Sequence, residues 1–137
     1  MDRATYEQYT QLVCARRMEE AAERFYADDI EVIENNVTYH DKKGIIALRR
    51  FTHDCMTEGI EVLDFFHSEQ NNTIAAEVIY TWEALKDLNK DEFVAAGYPE
   101  AWQPLKKGDV GRFHCVFRYI LDEASKFKKI RVFITTP

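Results

Sequence analysis

The sequence lacks the residue patterns of several chemistries at once. Its five glycines, Gly44, Gly59, Gly97, Gly108 and Gly111, are dispersed, so there is no glycine-rich loop to cradle a phosphate. Serine occurs only at Ser68 and Ser125, and neither position is a nucleophile elbow. Cys14, Cys55 and Cys115 are odd in number, far apart and in apolar contexts. They read as buried thiols rather than a disulfide framework, and none has the neighbouring base that a nucleophilic cysteine needs. The four histidines, His40, His53, His67 and His114, form no i, i+4 pair and have no cysteine at ligand spacing. A zinc site is therefore not expected, nor any other metal or cofactor.

Charge and hydropathy remove further classes. Eighteen basic residues stand against 24 acidic ones, a net charge of −6, and the Lys and Arg residues are scattered along the chain. Neither nucleic acid nor an anionic membrane surface is an expected partner of such a chain. No apolar run approaches the length of a membrane-spanning helix, and the opening MDRATYEQYTQ is not an apolar signal segment. The expectation is a soluble, cytoplasmic protein. At 137 residues the chain fits one domain, 1–137, of a size that buries roughly two thirds of its unfolded surface.

The periodicity of the chain changes along its length. From Ala4 to about Arg16, Tyr6, Tyr9, Leu12 and Val13 recur at helical spacing, and a second short helix follows with Ala21, Ala22, Phe25 and Tyr26 as its stripe. Asp28 and Asp29 are expected to end it. β-Branched residues then surround the turn pair Asn35-Asn36, with Glu34 beside the turn. Asp41 is placed to cap a third helix over Lys42–Met56, with Ile45, Leu48, Phe51 and Cys55 on one face, His53 opposite that stripe and exposed, and Gly59 as the stop.

The remainder reads as sheet: Ile60–Ser68, Thr73–Leu85, Gly111–Leu121 and Phe127–Thr136. In the third of these, Phe113, Cys115, Phe117, Tyr119 and Leu121 alternate with Arg112, His114, Val116, Arg118 and Ile120, so the odd positions are expected to face the helices. Glu77, His114 and Arg118 then form a polar cluster on the outer face; with the faces reversed, His114 becomes an acid/base candidate. The insertion KDLNKDEFVAAGYPEAWQPLKKGD exceeds what a hairpin needs. Capping-box spacing of Asn89 and Glu92 predicts a helix at Lys90–Ala96, and Phe93, Tyr98 and Trp102 are candidates to cover an opening. Helices followed by long strands make the class α+β.

What chemistry remains is that of carboxylates and phenols in an apolar setting. The element order, together with FYADDIEVIENNVTYHDKKGIIALRRF, resembles the nuclear transport factor 2-like superfamily, in its SnoaL-like and ketosteroid isomerase-like branch. The resemblance implies a cone, a curved and mostly antiparallel sheet wrapped around three N-terminal helices, with an apolar pocket inside. Against the ketosteroid isomerase pattern, YADDIEVIEN places the catalytic carboxylate on Glu34. The oxyanion-donating tyrosine falls on Tyr9, with Tyr6, Tyr26 and Tyr39 as further phenols. The family's second oxyanion donor falls on Cys115 or Phe117, and neither can replace an aspartic acid.

The expected function is a cofactor-independent isomerase, cyclase or dehydratase, in which Glu34 moves a proton alpha to the carbonyl of an apolar ligand and Tyr9 hydrogen-bonds its oxygen. Phe51, Trp82, Phe113, Cys115, Phe117, Tyr119 and Ile134 are the expected pocket wall. The resemblance also implies a homodimer through the outer sheet face. The alternative, on the same fold, is a noncatalytic ligand-binding or dimerisation module.

Overall fold

The computed structural model describes residues 1–99 and 103–135; Trp102, Thr136 and the expectations attached to them lie outside that range. Helix α1 (Arg3–Cys14) starts where Asp2 accepts a hydrogen bond from the Thr5 amide at 2.8 Å. Arg16, with φ 62, turns the chain into α2 (Met18–Phe25). Strand β1 (Tyr26–Glu34) follows at once and pairs with β2 (Val37–His40) through an Asn35-Asn36 turn. Both asparagines are left-handed (φ 51 and 63), as a tight hairpin turn requires and as asparagine tolerates.

Asp28 and Asp29 do not end the second helix. Tyr26 is already extended and pairs with Phe127, so the helix stops at Phe25 and the two aspartates lie exposed within β1.

Helix α3 (Lys42–Cys55) begins as expected, with the Asp41 side chain accepting from the Gly44 amide at 2.7 Å. It ends four residues before Gly59, because Met56 opens strand β3 (Met56–Ser68). Gly59 has a different role: it sits opposite Thr81 in β4 (Thr73–Ala84), where a Cβ would fall 2.5 Å from the Thr81 Oγ1. Helix α4 (Lys90–Ala95) carries the full Asn89/Glu92 capping box. Strands β5 (Val110–Leu121) and β6 (Phe127–Ile134) complete a six-stranded sheet of order β2-β1-β6-β5-β4-β3. Among the described residues, only the β1–β6 pairing is parallel.

The helices cover one face of this sheet. Ile30 and Val32 of β1, Ile74, Ala76 and Val78 of β4, Cys115 and Tyr119 of β5 and Ile130 of β6 bury that face against Tyr6, Tyr9, Leu12 and Phe25. The odd residues of β5 point to the helices, as their alternation predicts. His114 therefore points outward, with Nε2 2.6 Å from Glu77 Oε1 and Nδ1 2.5 Å from Thr135 Oγ1. Arg118 shares that face but lies over the Phe133 ring instead of joining the pair. This is the face to which the resemblance assigns a second copy.

The sheet is so close-packed at one edge of the core that β5 needs a glycine there. A Cβ on Gly111 would fall 2.1 Å from the Trp82 Nε1. Gly111→Ala is expected to push the Trp82 indole aside and cost about 1–3 kcal/mol, as overpacking typically does. An unchanged denaturation midpoint would show that the indole has room to move.

Candidate functional site

Between α3, the insertion and the open half of the sheet lies a cavity of about 480 Å³, the size of a small-molecule site. Strands β4 to β6 line it with Trp82, Phe113, Cys115, Phe117, Tyr119 and Ile134, all expected wall residues. Phe51 is not on the wall. The turn of α3 sends it, with Cys55, into a second cluster, where its ring centroid lies 5.8 Å from that of Phe93 and 6.1 Å from that of Tyr98. The insertion closes one side with Tyr98, Pro99, Gln103 and Leu105. Tyr98 is anchored by its hydroxyl donating to the Leu48 carbonyl at 3.3 Å.

Glu34 lies in the cavity wall, next to Asn35. Strand alternation places it there: Ile30 and Val32 are buried against the core, and Glu34 is the next residue of the same parity. Tyr9 also lines the cavity, and its hydroxyl is 2.8 Å from that of Tyr26. Burial pushes the Tyr9 phenol well above its ordinary pKa, and the nearby Tyr26 adds to the shift. Burial raises Tyr26 too, but the positive charge of Arg49 and the hydrogen bond with Tyr9 pull it back. A second phenol pair, Tyr6 and Tyr119 at 2.8 Å, lies behind the first.

No sequence pattern assigns a role to Arg49, Tyr80 or Glu58, yet together they make a charged cluster at the cavity wall. Arg49 and Tyr80 both line the cavity. Glu58 stands behind them with its side chain 3 % exposed. Its Oε2 accepts from the Tyr80 hydroxyl at 2.7 Å and lies 3.8 Å from Arg49 Nη1. Its Oε1 is 2.9 Å from His53 Nε2.

Burial alone would raise the Glu58 carboxyl. His53, Arg49 and Tyr80 together outweigh burial and hold it below the ordinary carboxylate range. His53 is thus buried, not exposed: α2 packs along that side of α3, and Glu58 offers the imidazole a partner.

Two signals mark these residues in the sequence. Arg49 falls on the Ile45–Leu48–Thr52 stripe of α3, where a cation is out of place. Glu58 shares parity with Met56, Ile60 and Val62, but that alternation is legible only once the strand is known to begin at Met56. Among the described residues, no cluster of three or more His, Cys, Asp or Glu side chains is placed to hold a metal ion. No helix among them is long and apolar enough to cross a membrane.

No family model and no curated protein matches the sequence. Solved structures do. A provisionally assigned polyketide cyclase from Silicibacter superposes with a TM-score of 0.73, at 14% identity, over 96% of this chain and 87% of that one. A nuclear transport factor 2-like protein of unknown function from Exiguobacterium gives 0.66 at 14% identity, over 97% and 99%. The fold is nuclear transport factor 2-like. An LEH-like epoxide hydrolase from M. tuberculosis shares this fold at a TM-score of 0.68 and 7% identity, over 94% and 78%. At such identities the likeness is one of architecture, a cone with a mouth, and the chemistry must be argued from this chain's own side chains.

Proposed function

We propose that the protein is a cytoplasmic, cofactor-independent isomerase or lyase that enolises an apolar carbonyl compound inside this cavity. One observation carries the reading: a half-buried carboxylate, Glu34, in the wall of an otherwise largely apolar cavity that also holds the Tyr9–Tyr26 phenol pair. Glu34 takes the proton alpha to the carbonyl. The C–H electron pair becomes the new C=C bond, and the carbonyl π pair moves onto the oxygen, where a phenol donates a hydrogen bond. Whichever hydroxyl of the Tyr9–Tyr26 pair donates to the other, the accepting one keeps its own proton for the ligand. Returning the proton from Glu34 to another carbon gives an isomerase; attack of the enolate carbon on a second carbonyl of the substrate, whose π pair moves to its own oxygen and takes the proton, gives a cyclase; and loss of a leaving group with its bonding pair from the β-carbon gives a lyase. The polyketide cyclase and epoxide hydrolase names borne by proteins of this fold agree with an apolar, oxygenated substrate.

The test is proton exchange. Enolisable bicyclic ketones, beginning with 2-tetralone, are incubated with the protein in D2O, and the α-hydrogen signal is followed by NMR. Exchange faster than buffer alone, and proportional to protein, is the expected result. A panel of such ketones exchanging at the buffer rate would refute the proposal.

A further inference from the structure

We infer that Arg49 is the principal group that receives negative charge on the substrate oxygen, with Glu58 as the positioning residue that aims it. The inference rests on the enolisation reading and names the electrophilic side of that site. The family pattern offers a phenol and an acid for this task, and the acid is missing here. In its place the wall carries a cation.

Three observations support the assignment. First, the Arg49 side chain lines the cavity and is 27% exposed there, and its guanidinium makes no hydrogen bond to any described residue. A guanidinium has five N–H donors in a rigid fork, and those that face the cavity are open to a ligand oxygen. Second, the one ion pair Arg49 makes among the described residues, to Glu58, is long at 3.8 Å. The carboxylate that makes it is already engaged by the Tyr80 hydroxyl at 2.7 Å and by His53 at 2.9 Å. Glu58 therefore holds Arg49 in place without occupying its donor fork. Third, Arg49 lines the same cavity as Glu34, Tyr26, Tyr80 and Tyr98. Base, phenol and cation thus face one volume, the arrangement in which a proton leaves carbon toward one side while charge builds on oxygen at the other.

The test uses 2-naphthol, which has the shape of the 2-tetralone enol and changes its absorption and fluorescence on ionising. Bound to the wild-type protein, it is expected to ionise at a pH lower by about one or more than in free solution, the mark of a site that prefers the anion at least tenfold. Arg49→Met should return the titration to the free value or above. Because this variant leaves Glu58 buried without that counter-ion, the double variant Arg49→Met/Glu58→Gln is read alongside it, with circular dichroism to confirm the fold. Removing Glu58 alone favours the naphtholate, so a lost depression in the double variant belongs to Arg49.

A wild-type protein that takes up no naphthol, or binds it without lowering its titration, overturns the inference. A folded Arg49→Met protein, single or double, that keeps the full depression does so equally. The readout is equilibrium binding and needs no turnover, so failure of the enolisation reading is seen separately, as exchange absent from a protein that still depresses naphthol.

Discussion

Glu34→Gln is expected to lower the rate of α-proton exchange by about 10²–10⁴-fold, the usual contribution of a positioned general base, while the fold stays intact. Glutamine has the shape of glutamate and can fill the same place beside Asn35, but its amide cannot take a proton from carbon. No contact of the fold among the described residues depends on the carboxylate. Glu34 makes no ion pair and no side-chain hydrogen bond with a described residue, and its strand is set by the backbone pairing of Glu34 with Val37 across the hairpin. A change of stability within about ±0.5 kcal/mol is the expectation for such a substitution. The contrast of lost exchange with an unmoved denaturation midpoint is the signature. A Glu34→Gln protein that exchanges at the wild-type rate would sink the assignment of the base.

Much of this arrangement was legible in the sequence, and the parts that were not share a cause. The helical stripe of Tyr6, Tyr9, Leu12 and Val13, the Asn35-Asn36 turn, the Asp41 cap and the Asn89/Glu92 box are local signals, and each stands in the structure where its pattern put it. The inward face of β5 was equally plain, because the alternation runs over a whole strand. Junctions misled. Gly59 resembles a helix stop, but the backbone of α3 gives way to a strand at Met56 because that strand pairs along its entire length with β4, a partner remote in sequence. Reading Met56–Gly59 as a helix end hid the parity that turns Glu58 inward. His53 followed the same course: its place opposite the apolar stripe of α3 predicts exposure only if nothing packs there, and α2 does. Tyr26 looked like the last residue of a helical stripe, yet as the first residue of β1 it brings its hydroxyl to Tyr9. The candidate base was thus reached through the family resemblance, while the groups that answer it depend on contacts between elements that no local pattern encodes.

Glu58→Gln is expected to destabilise the protein by about 3–5 kcal/mol at neutral pH, the typical cost of removing one partner of a buried ion pair, and a large share of the ~5–15 kcal/mol that holds a domain folded. The glutamine amide can still accept from the Tyr80 hydroxyl, but it offers no charge to Arg49 or His53, both of which remain in the protein interior or its cavity wall. The pH dependence identifies the charge as the cause. In the folded state the Glu58 carboxyl lies below its ordinary value of 4.5, so its ionised form stabilises the fold. That stability is present in full above the unfolded value and is lost as pH falls through the folded one. The gap between wild type and variant, taken from denaturant midpoints, should therefore be widest near neutrality and narrow below about pH 4.5. A gap that stays constant into acid would mean that Glu58 acts by shape rather than charge. Apolar residues of equal volume commonly hold an interior as well as a buried ion network does, or better. What they cannot supply is a guanidinium and a phenol, Arg49 and Tyr80, fixed at the cavity wall by a single carboxylate behind them.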